Sequence, residues 1–177
     1  LINNVFSRIG KDNIYEVLLL NKDGFITEGS RSNIFFVDGN RIITPPLSSV
    51  LPGITRLNVI KIASKLEIDC NEVDINYNSL QLFDGAFITG TSPKVLPIGK
   101  IDGVIFNPDH PTISVLMKSY NEIVVRYIDS FSWSHYVWSN NINNHTNILY
   151  VIYQSFFCNF TSNKLSAGNH TISFRTK

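Results

Sequence analysis

Cysteine is scarce in this 177-residue chain, which contains only Cys70 and Cys158. The two residues lie far apart and without CxxC spacing, which excludes a disulfide framework and a cysteine-based zinc site. The four histidines form no HxxxH or HExxH pattern, so we expect no metal site. The sparse cysteine usage is typical of a protein in a reducing compartment.

An excess of charge and a long apolar run are also missing. The formal net charge is +1, which gives no basis for binding nucleic acid, a membrane surface or an acidic partner. No apolar run is long enough to span a bilayer, and no signal peptide is evident at Leu1. We therefore expect a cytoplasmic protein that acts on small molecules.

One stretch, residues 130–163, has no charged side chain and is rich in Asn, Ser, Ile and aromatic residues. Soluble domains rarely extend so far without a charge. We therefore predict one domain over residues 1–131 and an atypical tail over residues 132–177 that is not part of the fold. The alternative is a disordered or lightly packed extension.

Hydrophobic patterns before residue 131 predict a strand-rich α/β (α+β mixture) fold without a regular βαβ repeat. Turn residues at 22–24, 38–39 and 102–103 separate short strands into hairpins. The predicted strands span residues 15–20, 25–27, 33–37, 41–44, 73–75, 86–89 and 95–98, and weak helical patterns cover 3–9 and 80–83. Longer helices are predicted from Ile54, with Leu57, Ile60, Ile62, Ala63 and Leu66 on the apolar face, and from Pro111, with Ile113, Leu116, Tyr120, Ile123, Val124 and Tyr127 on it.

Three polar segments stand at the ends of these elements. Glu28 follows a strand and precedes Gly29, so its carboxylate is able to approach a ligand closely; the alternative is an ordinary acidic turn. Residues 51–55 place a glycine before a helix, where free amides and partial positive charge favour phosphate; the Thr55 hydroxyl adds a hydrogen bond or caps the helix. Residues 89–93 form a hydroxyl-rich turn that suits phosphate or carboxylate, or is a plain connection.

In this order and spacing the segments resemble the class IV aminotransferases, the pyridoxal-phosphate family that includes branched-chain and D-amino-acid aminotransferases. The resemblance covers about residues 15–128 and is carried by residues 27–30, 33–35, 44–46, 51–56, 89–92 and 97–98. It implies the large C-terminal cofactor domain of the D-amino-acid aminotransferase-like fold, truncated at its N-terminal edge, with the smaller N-terminal domain missing. It also implies pyridoxal 5'-phosphate as the cofactor and a homodimer at full length.

The resemblance assigns a cofactor-binding role to five residues. Glu28 resembles the glutamate that pairs with the pyridine nitrogen and keeps it protonated, which makes the ring a stronger electron sink. Ile54 and Thr55 resemble the groups that bind the cofactor phosphate, and Thr91 resembles a second phosphate ligand. Leu51 resembles the side chain that packs against the ring.

The resemblance also concerns the substrate and the catalytic lysine. Thr91 and Ser92 match a turn whose amides receive a substrate carboxylate in some members. The Schiff-base lysine of the family is expected upstream of Leu1, so no catalytic residue is expected within the chain. Lys11 and Lys22 precede Glu28 but do not match the family position, and we interpret both as solvated surface residues.

Three functions are compatible with these residues. The first is amino-group transfer between an amino acid and a 2-oxo acid, with the chain inactive alone because it lacks the lysine. The second is an aminodeoxychorismate-lyase-like reaction on the same fold. The third is a truncated gene product without catalysis. The 89–92 turn is closer to the aminotransferases, which favours the first.

Overall fold

The computed structural model of the chain describes residues 14–139 and 171–176, with side chains for residues 14–127. The chain divides into two compact units, Leu1–Tyr120 with Ala167–Lys177, and Asn121–Ser166. In the second unit the described residues are helical. The predicted helical pattern over residues 3–9 lies outside the described residues.

Eleven described strands build the first unit, and they form two sheets. The strands are β1 (Ile14–Leu20), β2 (Phe25–Gly29), β3 (Asn33–Asp38), β4 (Arg41–Thr44), β5 (Asp69–Glu72), β6 (Ile75–Asn76), β7 (Gly85–Gly90), β8 (Lys94–Ile98), β9 (Lys100–Ile101), β10 (Val104–Ile105) and β11 (Thr171–Thr176). One sheet has the order β10-β9-β11-β1-β2-β6, and the other has the order β5-β4-β3-β7-β8. With the helices described below, they confirm the predicted mixed α/β class.

Most predicted strands are confirmed to within two residues, but the segment between the helices differs. The strand predicted over residues 73–75 lies at Ile75–Asn76, and β5 was not predicted. Strand β5 reads Asp-Cys-Asn-Glu and is mostly exposed, so it carries no hydrophobic alternation. It is a strand because its backbone pairs in parallel with β4, for example Ile42 with Cys70.

Buried side chains from both sheets form one apolar core. Phe36 lies at its centre, with ring centroids 4.8 Å from Phe83 and 6.2 Å from Phe106. Because side chains alternate along a strand, Phe35 points to the opposite face of β3, where it stacks on Phe87 at 4.9 Å. The core cluster consists of Leu18, Leu20, Ile26, Ile34, Phe36, Ile43, Ile75, Leu80, Ala86, Ile88, Ile98, Ile101 and Phe106.

Helix α1 (Ile54–Lys65) begins where the sequence predicts, and its buried face matches the prediction at Ile62 and Ala63 only. Leu57 is 51% exposed and Leu66 is 40% exposed. Besides Ile62 and Ala63, the buried residues are Thr55, Arg56 and Val59, which were not predicted to be buried. Arg56 is buried because its guanidinium donates to the Pro45 carbonyl at 3.0 Å and to the Glu72 carboxylate at 2.7 Å.

Helix α2 (Pro111–Ser139) begins at the predicted proline. Ile113, Leu116 and Tyr120 are buried as predicted, whereas Ile123 and Tyr127 are exposed. A 3₁₀ helix over Tyr77–Leu82 corresponds to the predicted helical turn at 80–83, and another spans Leu47–Ser49. Within the part of the chain that the structure describes, no helix combines the length and apolarity that crossing a membrane requires.

Two described elements continue beyond the predicted domain boundary at residue 131. Helix α2 extends to Ser139, and β11 lies between β9 and β1, parallel to both. The pairing of β11 differs from the prediction that residues 132–177 stand outside the fold. It arises because β1 offers a backbone edge that is not paired with β2. Residues 140–170 lie outside the described residues, so the domain boundary itself stays a prediction.

Candidate functional site

Glu28 connects two of the three sequence segments. It is the penultimate residue of β2 and is half-buried. Its carboxylate Oε2 accepts a hydrogen bond from the backbone N–H of Leu51 at 2.9 Å. Glu28 was predicted to follow the strand but lies within it, and it contacts the loop that leads into α1. The predicted nitrogen partner therefore lies beside the predicted phosphate-binding loop.

Asn33, the first residue of β3, holds the same loop from a second side. Its buried side chain donates from Nδ2 to the Leu51 carbonyl at 3.0 Å. A Cβ added at Gly53 would collide with Asn33 Oδ1. Glycine is therefore needed at this position because the amide of Asn33 fills the space that a side chain would occupy.

The N-terminus of α1 has no side-chain cap. Gly53 is the N-cap residue, and no acidic side chain occupies the first turn. The first-turn amides carry the partial positive charge of the helix end, so this end favours an anion. Ile54, the first helical residue, is 79% exposed. The position predicted to bind phosphate is therefore occupied by a largely exposed residue.

The Thr55 hydroxyl lies 3.3 Å from the Tyr120 hydroxyl on α2, and Thr55 is buried. The alternative that Thr55 caps the helix is wrong, because the cap position is occupied by Gly53. A hydroxyl group donates one hydrogen bond and accepts two. Either hydroxyl can be the donor in this contact, and when Tyr120 donates, Thr55 keeps its own hydrogen for a further acceptor oxygen.

The third segment follows β7, which pairs with β3 so that Asn33 lies opposite Thr89. A Cβ at Gly90 would lie 3.5 Å from the Arg31 carbonyl, so this turn runs close to the residues that follow Glu28. Thr91 and Ser92 come next and are exposed. The backbone thus brings all three sequence segments together around the start of β3.

Thr89 is the first residue of the hydroxyl-rich segment 89–93, but the resemblance assigned no separate role to it. Directly opposed residues of paired strands project from the same face of a sheet, so its side chain lies on the face from which Asn33 reaches the Leu51 loop. The Thr89 hydroxyl is buried and has no hydrogen-bond partner among the described residues. Buried hydroxyls are usually paired, so this atom is suited to a bound polar group.

Two charged residues beside these segments were also missed. Lys94 begins β8 after the turn, is buried and has a positive φ of 57°. Desolvation lowers the pKa of its ammonium group below the ordinary value. Glu16 is only 2% exposed, and the signal for it was a carboxylate inside the apolar run of residues 15–20. Lys22 is exposed in a turn, as predicted, and Lys11 lies outside the described residues.

The chemistry of these groups fits a phosphorylated, nitrogen-containing ring. A carboxylate suits a protonated ring nitrogen, and an uncapped helix N-terminus suits a phosphate. The turn at Thr91 and Ser92 adds further donors near the Glu28 segment. Leu51, with 71% of its side chain exposed, offers an apolar surface for a ring.

Comparisons with known proteins agree with this geometry. The model of the family described as amino-transferase class IV matches residues 7–101. The chain belongs to the class IV aminotransferase family, whose members depend on pyridoxal phosphate. The chain is 40% identical over 90 residues to the branched-chain-amino-acid aminotransferase of Escherichia coli K12, a match that covers 50% of this chain and 29% of that protein.

Two solved structures are similar in fold. A branched-chain amino acid aminotransferase from Thermobaculum terrenum in its PLP form has a TM-score of 0.63 and 32% identity, covering 67% of this chain and 40% of that one. A candidate 4-amino-4-deoxychorismate lyase from Legionella pneumophila has a TM-score of 0.58 and 26% identity, covering 60% and 40%. The matches span 23 to 39% of the length of the curated relatives.

Proposed function

We propose that the protein to which this chain contributes transfers an amino group between an amino acid and a 2-oxo acid with pyridoxal 5'-phosphate. The observation that carries the proposal is the hydrogen bond from Leu51 N–H to Glu28 Oε2. It joins a carboxylate to the loop before an uncapped helix N-terminus. A ring with a basic nitrogen at one end and a phosphate at the other matches that pair of groups.

The chain's own residues would hold the cofactor as follows. Glu28 accepts a hydrogen bond from the protonated ring nitrogen, and the Ile54 and Thr55 amides bind the phosphate, with Thr91 as a second ligand. Leu51 packs against the ring. The bound ring withdraws electrons from the substrate carbon next to the amino group, and Glu28 maintains the positive charge on the nitrogen that this requires.

The substrate carboxylate would bind at the turn formed by Thr91 and Ser92. Both residues are exposed and directly follow β7, so a small molecule can reach the turn. The match to branched-chain aminotransferases favours amino acids and 2-oxo acids as substrates. We propose that the lysine which bonds to the cofactor comes from sequence upstream of Leu1, and that this chain alone binds the cofactor without turnover.

The test is a titration of the chain with pyridoxal phosphate, in which binding is measured by absorbance and by fluorescence quenching. We expect the chain to bind pyridoxal phosphate reversibly, and Glu28→Gln to weaken binding by about tenfold or more, because a charge-assisted hydrogen bond is lost. The matched control is Glu122→Gln, which changes an exposed carboxylate on α2 and should bind as the unaltered chain does.

Borohydride reduction and peptide mapping test the lysine assignment. We expect no covalent label at Lys11, Lys22 or Lys94. Stoichiometric label at any of the three would overturn the upstream assignment, and failure of the unaltered chain to bind pyridoxal phosphate would overturn the proposed function.

A second candidate reaction is supported by the structural similarity to the lyase-type neighbour. It is tested on protein that includes the upstream sequence. Amino transfer requires a 2-oxo acid as acceptor, whereas release of pyruvate from aminodeoxychorismate without an acceptor would assign the lyase reaction. For the same longer protein we propose a homodimer, which sedimentation equilibrium would detect, and a cytoplasmic location.

A further inference from the structure

A buried carboxylate to which the proposed function assigns no role lies next to the Glu28 segment. Glu16 is in the middle of apolar residues on β1, and only 2% of its surface is exposed. An ionised carboxylate is costly to remove from water unless hydrogen-bond donors and positive charge surround it. Its surroundings therefore indicate what this residue does.

Three consecutive residues after Gly29 turn towards this carboxylate. The Ser30 hydroxyl donates to Oε1, and the Ser32 hydroxyl donates to Oε2 at 3.3 Å. Arg31 Nε lies 3.9 Å from Oε2. The backbone N–H of Val17 is 3.4 Å from Oε1. The carboxylate is thus surrounded by donors that belong almost entirely to one turn.

The backbone of this turn is packed equally closely. Gly29 N–H donates to the Ser32 carbonyl at 2.7 Å, and Ser30 N–H donates to the Val17 carbonyl at 2.9 Å. A Cβ at Gly29 would collide with Ser32 Oγ and lie 3.2 Å from Glu16 Cγ. The turn therefore folds around the Glu16 side chain, and Gly29 follows Glu28 directly.

We propose that Glu16 is a positioning residue for Glu28. By binding the hydroxyls of Ser30 and Ser32, it fixes the turn that begins one residue after Glu28. The Glu28 carboxylate is then held where Oε2 meets the Leu51 amide, and the same carboxylate would accept the hydrogen bond of a protonated ring nitrogen. The part that concerns the ring rests on the proposed function, whereas the part that concerns Leu51 does not.

The first experiment needs no cofactor. In Glu16→Gln the side chain keeps one acceptor oxygen, so one of the two serine hydroxyls loses its partner. We expect amide hydrogen exchange at Leu51 to accelerate about tenfold, because its acceptor on Glu28 is no longer held in place. Exchange at core amides such as Phe36 should change by less than about twofold.

Two further variants keep this test decisive. Ser32→Ala removes a single hydroxyl and serves if Glu16→Gln does not fold; we expect a smaller acceleration at Leu51 in the same direction. Glu122→Gln is the matched carboxylate-to-amide control and should leave Leu51 unchanged. Unchanged exchange at Leu51 in a folded variant, or equal acceleration at Leu51 and Phe36, would overturn the proposal.

The second experiment observes the ring. With pyridoxal phosphate labelled with ¹⁵N in the ring, we expect a pyridinium signal in the unaltered chain and a shift towards neutral pyridine in Glu16→Gln. If the ring signal is unshifted while Leu51 exchange is accelerated, Glu16 positions the contact between Glu28 and Leu51 only. That result would overturn the part of the proposal that concerns the ring nitrogen. If the unaltered chain does not bind the cofactor, the proposed function fails, and the Leu51 exchange still decides the role of Glu16.

Discussion

Asn33 and Gly53 show how single residues fix the loop that Glu28 contacts. The Asn33 amide donates to the Leu51 carbonyl, and the space beside Gly53 is filled by Asn33 Oδ1. Glu28 accepts from the N–H of the same Leu51. Both backbone groups of Leu51 are therefore occupied by side chains from β2 and β3, which sets the position of the helix entrance.

The first prediction concerns Gly53→Ala. The new methyl group displaces the Asn33 amide, so a buried hydrogen bond to Leu51 is lost. We expect the free energy of unfolding to fall by about 1–3 kcal/mol and cofactor affinity to fall with it. Chemical denaturation and a cofactor titration measure the two effects.

Gly103→Ala is the matched control for that variant, because a Cβ at Gly103 meets nothing within 4 Å. It should leave both the free energy of unfolding and the cofactor affinity unchanged. An equal effect of the two substitutions would show that general glycine flexibility, and not the contact with Asn33, controls the loop.

At the scale of elements, a substitution at the first residue of α1 can change cofactor binding without changing stability. Gly53 has extended dihedral angles, φ −67° and ψ 132°, which are compatible with a following proline. Ile54 is the first helical residue and is largely exposed. A proline is favoured at this position, where the missing N–H would have had no partner within the helix.

The second prediction is that Ile54→Pro leaves the melting temperature nearly unchanged and weakens binding of pyridoxal phosphate by about tenfold. The reason is that the variant removes one amide donor to the phosphate and no hydrogen bond of the helix. Binding of pyridoxal, which has no phosphate, should be the same in both proteins. An equal loss for pyridoxal would contradict the phosphate role of this amide.

At the scale of the whole molecule, β11 is the described strand that lies beyond the predicted domain boundary. It is an inner strand between β9 and β1, with Phe174 opposite Leu18. The uncharged composition of residues 130–163 had instead indicated a tail outside the domain. The backbone of β11 is hydrogen-bonded to a neighbouring strand on each side, so it forms part of the sheet.

The third prediction is that Phe174→Pro lowers the free energy of unfolding by about 1–3 kcal/mol, because a proline removes a ladder hydrogen bond from an inner strand and leaves its partner unsatisfied. Phe174→Ala removes the side chain but retains the backbone N–H. The difference in stability between the two variants therefore isolates the effect of the backbone change. Thermal unfolding of both variants provides the measurement. Unchanged stability of Phe174→Pro would support the original boundary near residue 131.

Much of the local structure could be predicted because it depends on neighbouring residues. Turn residues at 22–24 and 38–39 determine the hairpins, and Pro111 marks the start of α2. Strand β5 and the buried Arg56 could not be predicted, since their stability comes from β4 and from the Pro45 carbonyl and Glu72. These partners are distant in sequence, so the hydrophobic periodicity of a short segment does not reveal them.

The sequence by itself determined the family, the order of the polar segments and the candidate residues, because each depends on residue types at fixed local spacing. Only the tertiary structure decided that the Glu28 carboxylate meets the Leu51 amide, that Thr89 lies on the same face as Asn33, and that Glu16 is enclosed by the turn after Glu28. Those contacts depend on how β1, β2, β3 and β7 are paired across long separations. Strand register, which brings distant backbone groups into hydrogen-bonding distance, is the physical reason for the difference.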